Sequence, residues 1–472
     1  MLHTDAFIDG ATVRGTESYD NIDPSTGSAI GSVTLSGPEE VDRAVAAARA
    51  AQPGWASTTP EEWALVLERI SDAILDNLDE LARAESEDTG KPLTQARTDA
   101  TVTAHYFRFY GRAIDSYYGL QIPVGDDLHV YTRREPLGVV GSILAWNYPM
   151  QLLGRAVAPA LATGNAAVIK PGDETPRTAV RIAELAVRAG LPAGAFNVVP
   201  GVGRVTGVAL SHHPDLAHLG FVGSTAVGQE IAAAAAQRVI PVTLELGGKS
   251  PHVVFPDADL DEATVYITQG ILANAGQTCS AGSRLIVHED IAEELHERLR
   301  RSFASVRIGP GVEDQDLGPL VSTKQQERVK SFVDEATGHI VAGGGIPDGF
   351  ERGAFYEPTL IVGVDPQDRI AQEEVFGPVL ATMTFSDEDE AVRIANATEY
   401  GLMAAVWTRD FARAHRVAHR VVAGQVYINA FGAGGGVEYP FGGFKRSGYG
   451  REKGYEALDA YTATKTVIAR LG

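Results

Sequence analysis

Apolar residues recur at helical spacing early in the chain. "PEEVDRAVAAARAAQPGW" (38–55) and "PEEWALVLERISDAILDNLDELARAESEDTGKP" (60–92) both open with Pro-Glu-Glu, a favourable first turn. From residue 128, "LHVYTRREPLGVVGSILAW" turns to β-branched and alternating residues and predicts strands. Short apolar runs then alternate with amphipathic stretches: "NAAVIKP", "TAVRIAELAVRAG", "FNVVPG", "HLGFVGS", "TAVGQEIAAAAAQ" and "PVTLEL". Buried short strands alternating with helices imply a doubly wound parallel sheet. A second α/β series runs from "SRLIVHE" through "YEPTLIVGV" and "EEVFGPVLATMTF" to "MAAVWTRD" and "FARAHRVAHRV". No internal repeat or low-complexity linker breaks the pattern, and "VAGGGIPDGFERG" (341–353) reads as a surface loop. The expected fold is therefore α/β: two doubly wound Rossmann-like units with an active site between them.

Composition narrows the function. At 472 residues the chain exceeds one ordinary core, and 44% hydrophobic with 21% charged residues describes a soluble globular protein. A net charge of −21 argues against nucleic acid or an anionic membrane as partner. No apolar run approaches the ~20 residues of a membrane span, and the N-terminus lacks a signal-peptide pattern, so a cytoplasmic location is expected. One cysteine excludes an internal disulfide and a thiolate zinc cluster.

That cysteine, Cys279, lies in "NAGQTCSAGSR" (274–284), a stretch of small polar residues and glycines that can approach a ligand closely. Alone, the stretch fits a catalytic cysteine and a packed structural one equally. "FVGSTAVG" (221–228) passes from strand to helix through Gly223, Ser224 and Gly228 and can hold an anion, though such turns are common in α/β proteins. "VIKPGDETP" (168–176) sets Lys170 and Asp173 beyond a buried strand, where ligands bind. Its plainer reading is a solvated turn, with Asp173 or Thr175 capping the next helix. Glu245 interrupts the apolar run of "VTLELGGKSP" (242–251). Desolvation would raise its pKa and suit it to base chemistry, unless Lys249 or another cation pairs with it. His415 and His419 are four apart but flanked by arginines, so a solvated basic face is expected and no catalytic metal.

Together these segments resemble the aldehyde dehydrogenase superfamily, nearly end to end and in order. "ILAWNYP", "VIKPGDETP", "GSTAVG", "LELGGKSP", "GQTCSAGSR", "QEEVFGPV", "PFGGFKRSGYGRE" and "YTATKTVIA" carry the resemblance. It implies an NAD-binding domain (1–117 with 137–247) and a catalytic domain (248–447). It also implies a small β oligomerisation element (118–136 with 462–472), with 448–461 returning to the NAD-binding side. The C-terminal strand would complete a neighbouring subunit's sheet in a homodimer or homotetramer. Cys279 would be the nucleophile, its pKa lowered by local N–H groups and the bound cofactor. Asn147 and the Cys279 N–H would hold the oxyanion, Glu245 would activate water, and Glu452 would relay protons. Lys170 and Asp173 would hold the adenine ribose of NAD, with NADP less favoured. Glu374 and Phe376 would hold the nicotinamide ribose and ring, beside Trp146, Gly223, Ser224, Gly228 and Leu246. Glu245 argues against a CoA-acylating relative.

The aldehyde itself is not named by these motifs. Tyr148, Leu152 and Arg155 share one face of a helix opened by Pro149, so Arg155 could receive the carboxylate of a short semialdehyde. An arginine paired with a neighbouring acid is the plainer reading. Glu438 could neutralise Arg155 or favour a cationic amino- or betaine-type aldehyde.

Overall fold

The computed structural model describes residues 2–432 and 436–471. Five short strands precede the first helix, between Leu2 and Thr34, where the sequence pattern shows none. Strands of three residues, such as Ala6–Ile8 and Ala11–Val13, are too short to display alternation. The predicted long helix over 60–92 is two helices, Pro60–Asp76 and Leu78–Thr89. Thr59 and Glu62 cap the first reciprocally, and Gly90, at φ 81°, ends the second in the left-handed region.

The first large sheet has eight strands. Its centre is parallel, in the spatial order Val242–Glu245, His218–Val222, Val139–Ile143, Ala166–Lys170, Phe196–Val198. Chain order reverses between Val139–Ile143 and His218–Val222, which creates a crevice at their carboxyl ends. Ala6–Ile8 and Gly448–Tyr449 extend the sheet antiparallel on its two sides. Helix Pro149–Ala162 is buried on almost every face, packed against helix Leu93–Ala113. That explains why its sequence is apolar all round rather than on one stripe.

The second sheet has seven strands and its own core, from Val253 and Leu285 to Trp407. It is parallel except for the edge strand His339–Ala342, which takes in the first residues of the segment read as a surface loop. Helices Leu260–Leu272 and Glu289–Ala304 bury apolar stripes against it. A separate sheet joins Gln121–Ile122, Leu128–Pro136 and Thr462–Arg470. Here the C-terminal strand pairs antiparallel with Leu128–Pro136, Thr462 opposite Pro136 and Arg470 opposite Leu128. Asn165 draws the segment in by donating to the Tyr461 carbonyl at 2.9 Å. The strand's other edge carries no partner among the described residues. Among those residues no helix is long and apolar enough to cross a membrane.

Candidate active site

The two large sheets meet over a cavity of about 720 Å³. The first sheet presents carboxyl ends: Ala145 to Tyr148 after one strand, Gly223 and Ser224 after the next, Glu245 and Leu246 after the third. The second presents amino ends, with Cys279 ahead of strand Arg284–His288, Phe376 ahead of Val379–Phe385, and Met403. The cavity thus lies at the reversal of strand order in the first sheet, where the topology leaves a gap between helices.

Cys279 is carried on a sharply bent loop. Asn274, Ala275 and Gly276 all lie in the left-handed region, at φ 50°, 53° and 73°. Two of them carry a Cβ, so the bend is strained and must be held by its surroundings. Gln277 does much of this from full burial. Its Nε2 donates to the Asn274 carbonyl at 3.0 Å, and its Oε1 accepts from Val321 N–H at 2.8 Å. A side chain at Gly248 would collide with the Cys279 carbonyl, which accounts for the second glycine of "LELGG".

Burial pushes Cys279 up to about 12; Arg155 pulls it down, Glu374 and Glu245 push it further up, and the Ser280 N–H offsets part of the rise. Here desolvation outweighs the nearby positive charge and N–H dipoles.

Glu245 ends its strand, and neither carboxylate oxygen has a hydrogen-bond partner among the described residues. Burial first, then the negative charge of Glu452, holds it well above the usual carboxylate range. Lys249 is not its counter-ion: among the described residues the Lys249 ammonium has no hydrogen bond, and burial pushes it down to about 7. Asn147 Nδ2 donates one hydrogen to the Gln277 carbonyl at 2.9 Å. An amide nitrogen has a second hydrogen to offer a ligand in the cavity that Asn147 lines.

Tyr148, Leu152 and Arg155 all face the cavity, so the helical stripe read from the sequence is real. The Tyr148 hydroxyl is 2.9 Å from Thr278 Oγ1, one residue from the thiol. Arg155, however, pairs with Glu452 at 2.5 Å, and both side chains are buried. The plainer reading therefore holds for Arg155. Glu438 is exposed and does not form that pair. Glu452 stands behind the cavity, its charge raising the pKa of Glu245 and its carboxylate neutralising Arg155.

Of the cofactor candidates, Trp146, Gly223, Ser224, Leu246, Glu374 and Phe376 line the cavity. Phe376 has φ 61° and stacks edge-on to Trp146 at 5.3 Å. Glu374 accepts from Gly248 N–H at 3.0 Å, and burial pushes it up to about 7. Ser224 caps helix Thr225–Arg238 by accepting from Val227 N–H. Gly228 lies beneath the cavity rather than on it: a Cβ there would meet Leu246 Cδ2 at 2.6 Å, so the glycine serves helix packing. Lys170 and Asp173 stand beyond the cavity lining as an ion pair at a strand's carboxyl end. Neither Asp173 nor Thr175 caps the next helix. Asp173 instead accepts from Gly203 N–H at 3.1 Å. A helix N-terminus, a glycine-lined turn and a half-exposed carboxylate on one wall fit a dinucleotide.

Several contributors escaped the sequence reading. Lys453 is the clearest, with the aromatic residues Tyr427, Phe431, Tyr439 and Phe441 also lining the cavity. Lys453 adjoins Glu452, but nothing local marks its direction. His415 and His419 are exposed on helix Phe411–Arg420, and no metal-holding cluster of His, Cys, Asp or Glu occurs among the described residues.

Two doubly wound sheets meeting over a crevice with a cysteine and an unpartnered carboxylate form a two-domain α/β enzyme architecture. The chain belongs to the aldehyde dehydrogenase family, whose profile matches residues 12–467. It is 42% identical to a betaine aldehyde dehydrogenase of Rhizobium leguminosarum bv. trifolii, covering 99% of this chain and 97% of that one. A putative aldehyde dehydrogenase structure from Burkholderia cenocepacia superposes with TM-score 0.98 at 49% identity, covering 99% of this chain and 100% of that one. PnpE in complex with nicotinamide adenine dinucleotide superposes with TM-score 0.97 at 40% identity, covering 99% of this chain and 98% of that one.

Proposed function

We propose that the chain oxidises an aldehyde to its carboxylic acid with NAD, through a thioester on Cys279. The observation that carries this is the shared cavity: the only thiol of the chain and the unpartnered Glu245 carboxylate face one space beside a dinucleotide-type crevice. A carbonyl carbon cannot expel hydride until a nucleophile adds to it, and the Cys279 sulfur supplies that addition. The second Asn147 N–H and the Cys279 backbone N–H receive the developing oxyanion, a type of contact worth about 3–4 kcal/mol. Bound NAD supplies the hydride acceptor. Glu245, unpartnered and raised in pKa, then takes a proton from the water that attacks the thioester.

On this reading, residues 1–117 with 137–247 bind NAD, and 248–447 carry the nucleophile. Residues 118–136 with 462–472 serve assembly into a dimer or tetramer, and 448–461 return Glu452 to the NAD side. The unpaired edge of the C-terminal strand supports the assembly reading. Asp173 supports NAD over NADP, because its carboxylate can accept from a 2′-hydroxyl and repels a 2′-phosphate.

The aromatic wall of Tyr427, Phe431, Tyr439 and Phe441 favours a second reading of the substrate, an amino- or betaine-type aldehyde held by cation–π contact. The relatives named betaine aldehyde dehydrogenase support it. The deciding experiment for the reaction is NAD reduction by a panel of aldehydes, with Cys279→Ala as control. Reduction that survives in the variant would refute the thioester route.

A further inference from the structure

The two donors proposed to hold the oxyanion, the Asn147 amide and the Cys279 backbone N–H, come from different sheets. Asn147 follows strand Val139–Ile143 of the first, whereas Cys279 precedes strand Arg284–His288 of the second. No helix or strand carries both, so their spacing depends on how the two loops are joined. Asn274 joins them. Its Nδ2 donates to the Asn147 carbonyl at 2.8 Å and to the Gln277 carbonyl at 3.3 Å. The Gln277 carbonyl also accepts from Asn147 Nδ2 at 2.9 Å, so one oxygen receives both amides. That bond fixes one Asn147 hydrogen in direction, and the planarity of the amide then fixes the other.

Asn274 is itself anchored. Its N–H donates to Gln95 Oε1 on helix Leu93–Ala113 at 3.0 Å. Its carbonyl accepts from Gln277 N–H and from Gln277 Nε2, each at 3.0 Å. The residue is buried at φ 50°, a conformation that asparagine enters more readily than most residues with a Cβ. Both amide hydrogens are spent on the two loop carbonyls, and the side chain does not line the cavity. Asn274 therefore acts on the reacting atoms only through its neighbours.

We propose, resting on the dehydrogenase reading above, that Asn274 is a positioning residue that sets the Asn147 amide and the Cys279 N–H at the spacing a tetrahedral oxyanion requires. Fixed donors stabilise a developing charge only when aimed at the point where it appears. A displacement of about 1 Å costs about 10²-fold in rate.

The experiment follows NADH formation in the first turnover by stopped flow, at saturating NAD. Succinate semialdehyde, butanal and betaine aldehyde are compared in wild type, and the fastest is carried forward. Asn274→Gly accommodates the left-handed backbone without strain, Asn274→Ala keeps a Cβ, and both delete the bridge. The first-turnover rate should fall about 10–100-fold in each, with NAD affinity and the thermal unfolding midpoint near wild type. A double variant separates positioning from general support. Spacing has no meaning once one donor is gone, so Asn274→Gly added to Asn147→Ala should cost less than about threefold further. An equal loss in both backgrounds would overturn the assignment. So would an unchanged first-turnover rate in both single variants, a loss confined to NAD affinity, or a failure of both to fold, which would make Asn274 scaffold alone. A wild type that reduces NAD with none of the three aldehydes would instead overturn the dehydrogenase reading, and this inference with it.

Discussion

Two buried charge clusters lie within reach of the same helix start, and they are built to opposite rules. In the first, Lys91 donates to Glu85 at 2.8 Å and to Asp99 at 2.5 Å. The remaining carboxylate oxygens accept from Met150 N–H and the Gln151 amide, and the Lys91 ammonium sits 4.1 Å from the Tyr148 ring centre. In the second, Arg155 Nη2 meets Glu452 Oε2 in an ion pair, but Arg155 Nε and both Glu245 oxygens lack hydrogen bonds among the described residues. Composition and burial are similar, so these do not separate the clusters. Hydrogen-bond satisfaction does. A satisfied cluster rigidifies the scaffold under Tyr148, whereas one left unsatisfied beside a cavity keeps its capacity for substrate and water.

The contrast can be tested most severely at the thiol facing the second cluster. Cys279→Ala should abolish NAD reduction while leaving the thermal unfolding midpoint near that of wild type; appreciable turnover would break the contrast outright. Next in size is Glu245→Gln, with steady-state turnover lowered about 10²–10⁴-fold, the range for a lost general base. A burst of NADH should remain, because hydride leaves before water attacks. The sign with pH follows from burial: Glu245, raised in the folded chain, is protonated and inactive as a base below its pKa. Wild-type turnover should therefore fall as pH drops through that raised value, and the glutamine variant should lose this limb. Loss of the burst itself would mean that Glu245 activates the cysteine.

The satisfied cluster should respond in stability instead. Lys91→Met strands two buried carboxylates and should lower unfolding stability by about 3–5 kcal/mol in a denaturant titration. A neutral result there would show that the cluster is not scaffold. Arg155→Leu should lower kcat/KM to the same degree for anionic, neutral and cationic aldehydes, because its charge is spent on Glu452. A loss confined to the carboxylate substrate would return Arg155 to the role read from the sequence. The smallest effect is graded: alkylation of Cys279 without NAD should accelerate about tenfold per pH unit through neutrality, as the thiolate fraction of a thiol raised to about 12 requires. A plateau near neutrality, followed by mass spectrometry of this single thiol, would show a thiolate already stabilised.

Much of the site was legible because it depends on local register. Glu245 and Lys170 end buried strands, and a strand's end is visible where an apolar run meets glycine or proline. The stripe of Tyr148, Leu152 and Arg155 follows from helical period alone. At Gly228 a glycine that admits a ligand and one that admits Leu246 look alike in one dimension. The short N-terminal strands escaped because three residues do not make a period.

By itself, the sequence determined the alternation of strands and helices, the two α/β series, and which side chains stand at element ends, since all of these arise from near-neighbour sterics and apolar burial. Only the tertiary structure decided the partners of charge. Whether Arg155 faced a substrate, Glu438 or Glu452, whether Lys249 reached Glu245, and whether the thiol was lowered or raised depend on distances between residues remote in the chain. They also depend on how completely water is removed around them. Coulomb and desolvation energies are functions of those distances and of that burial, and neither is written in residue order.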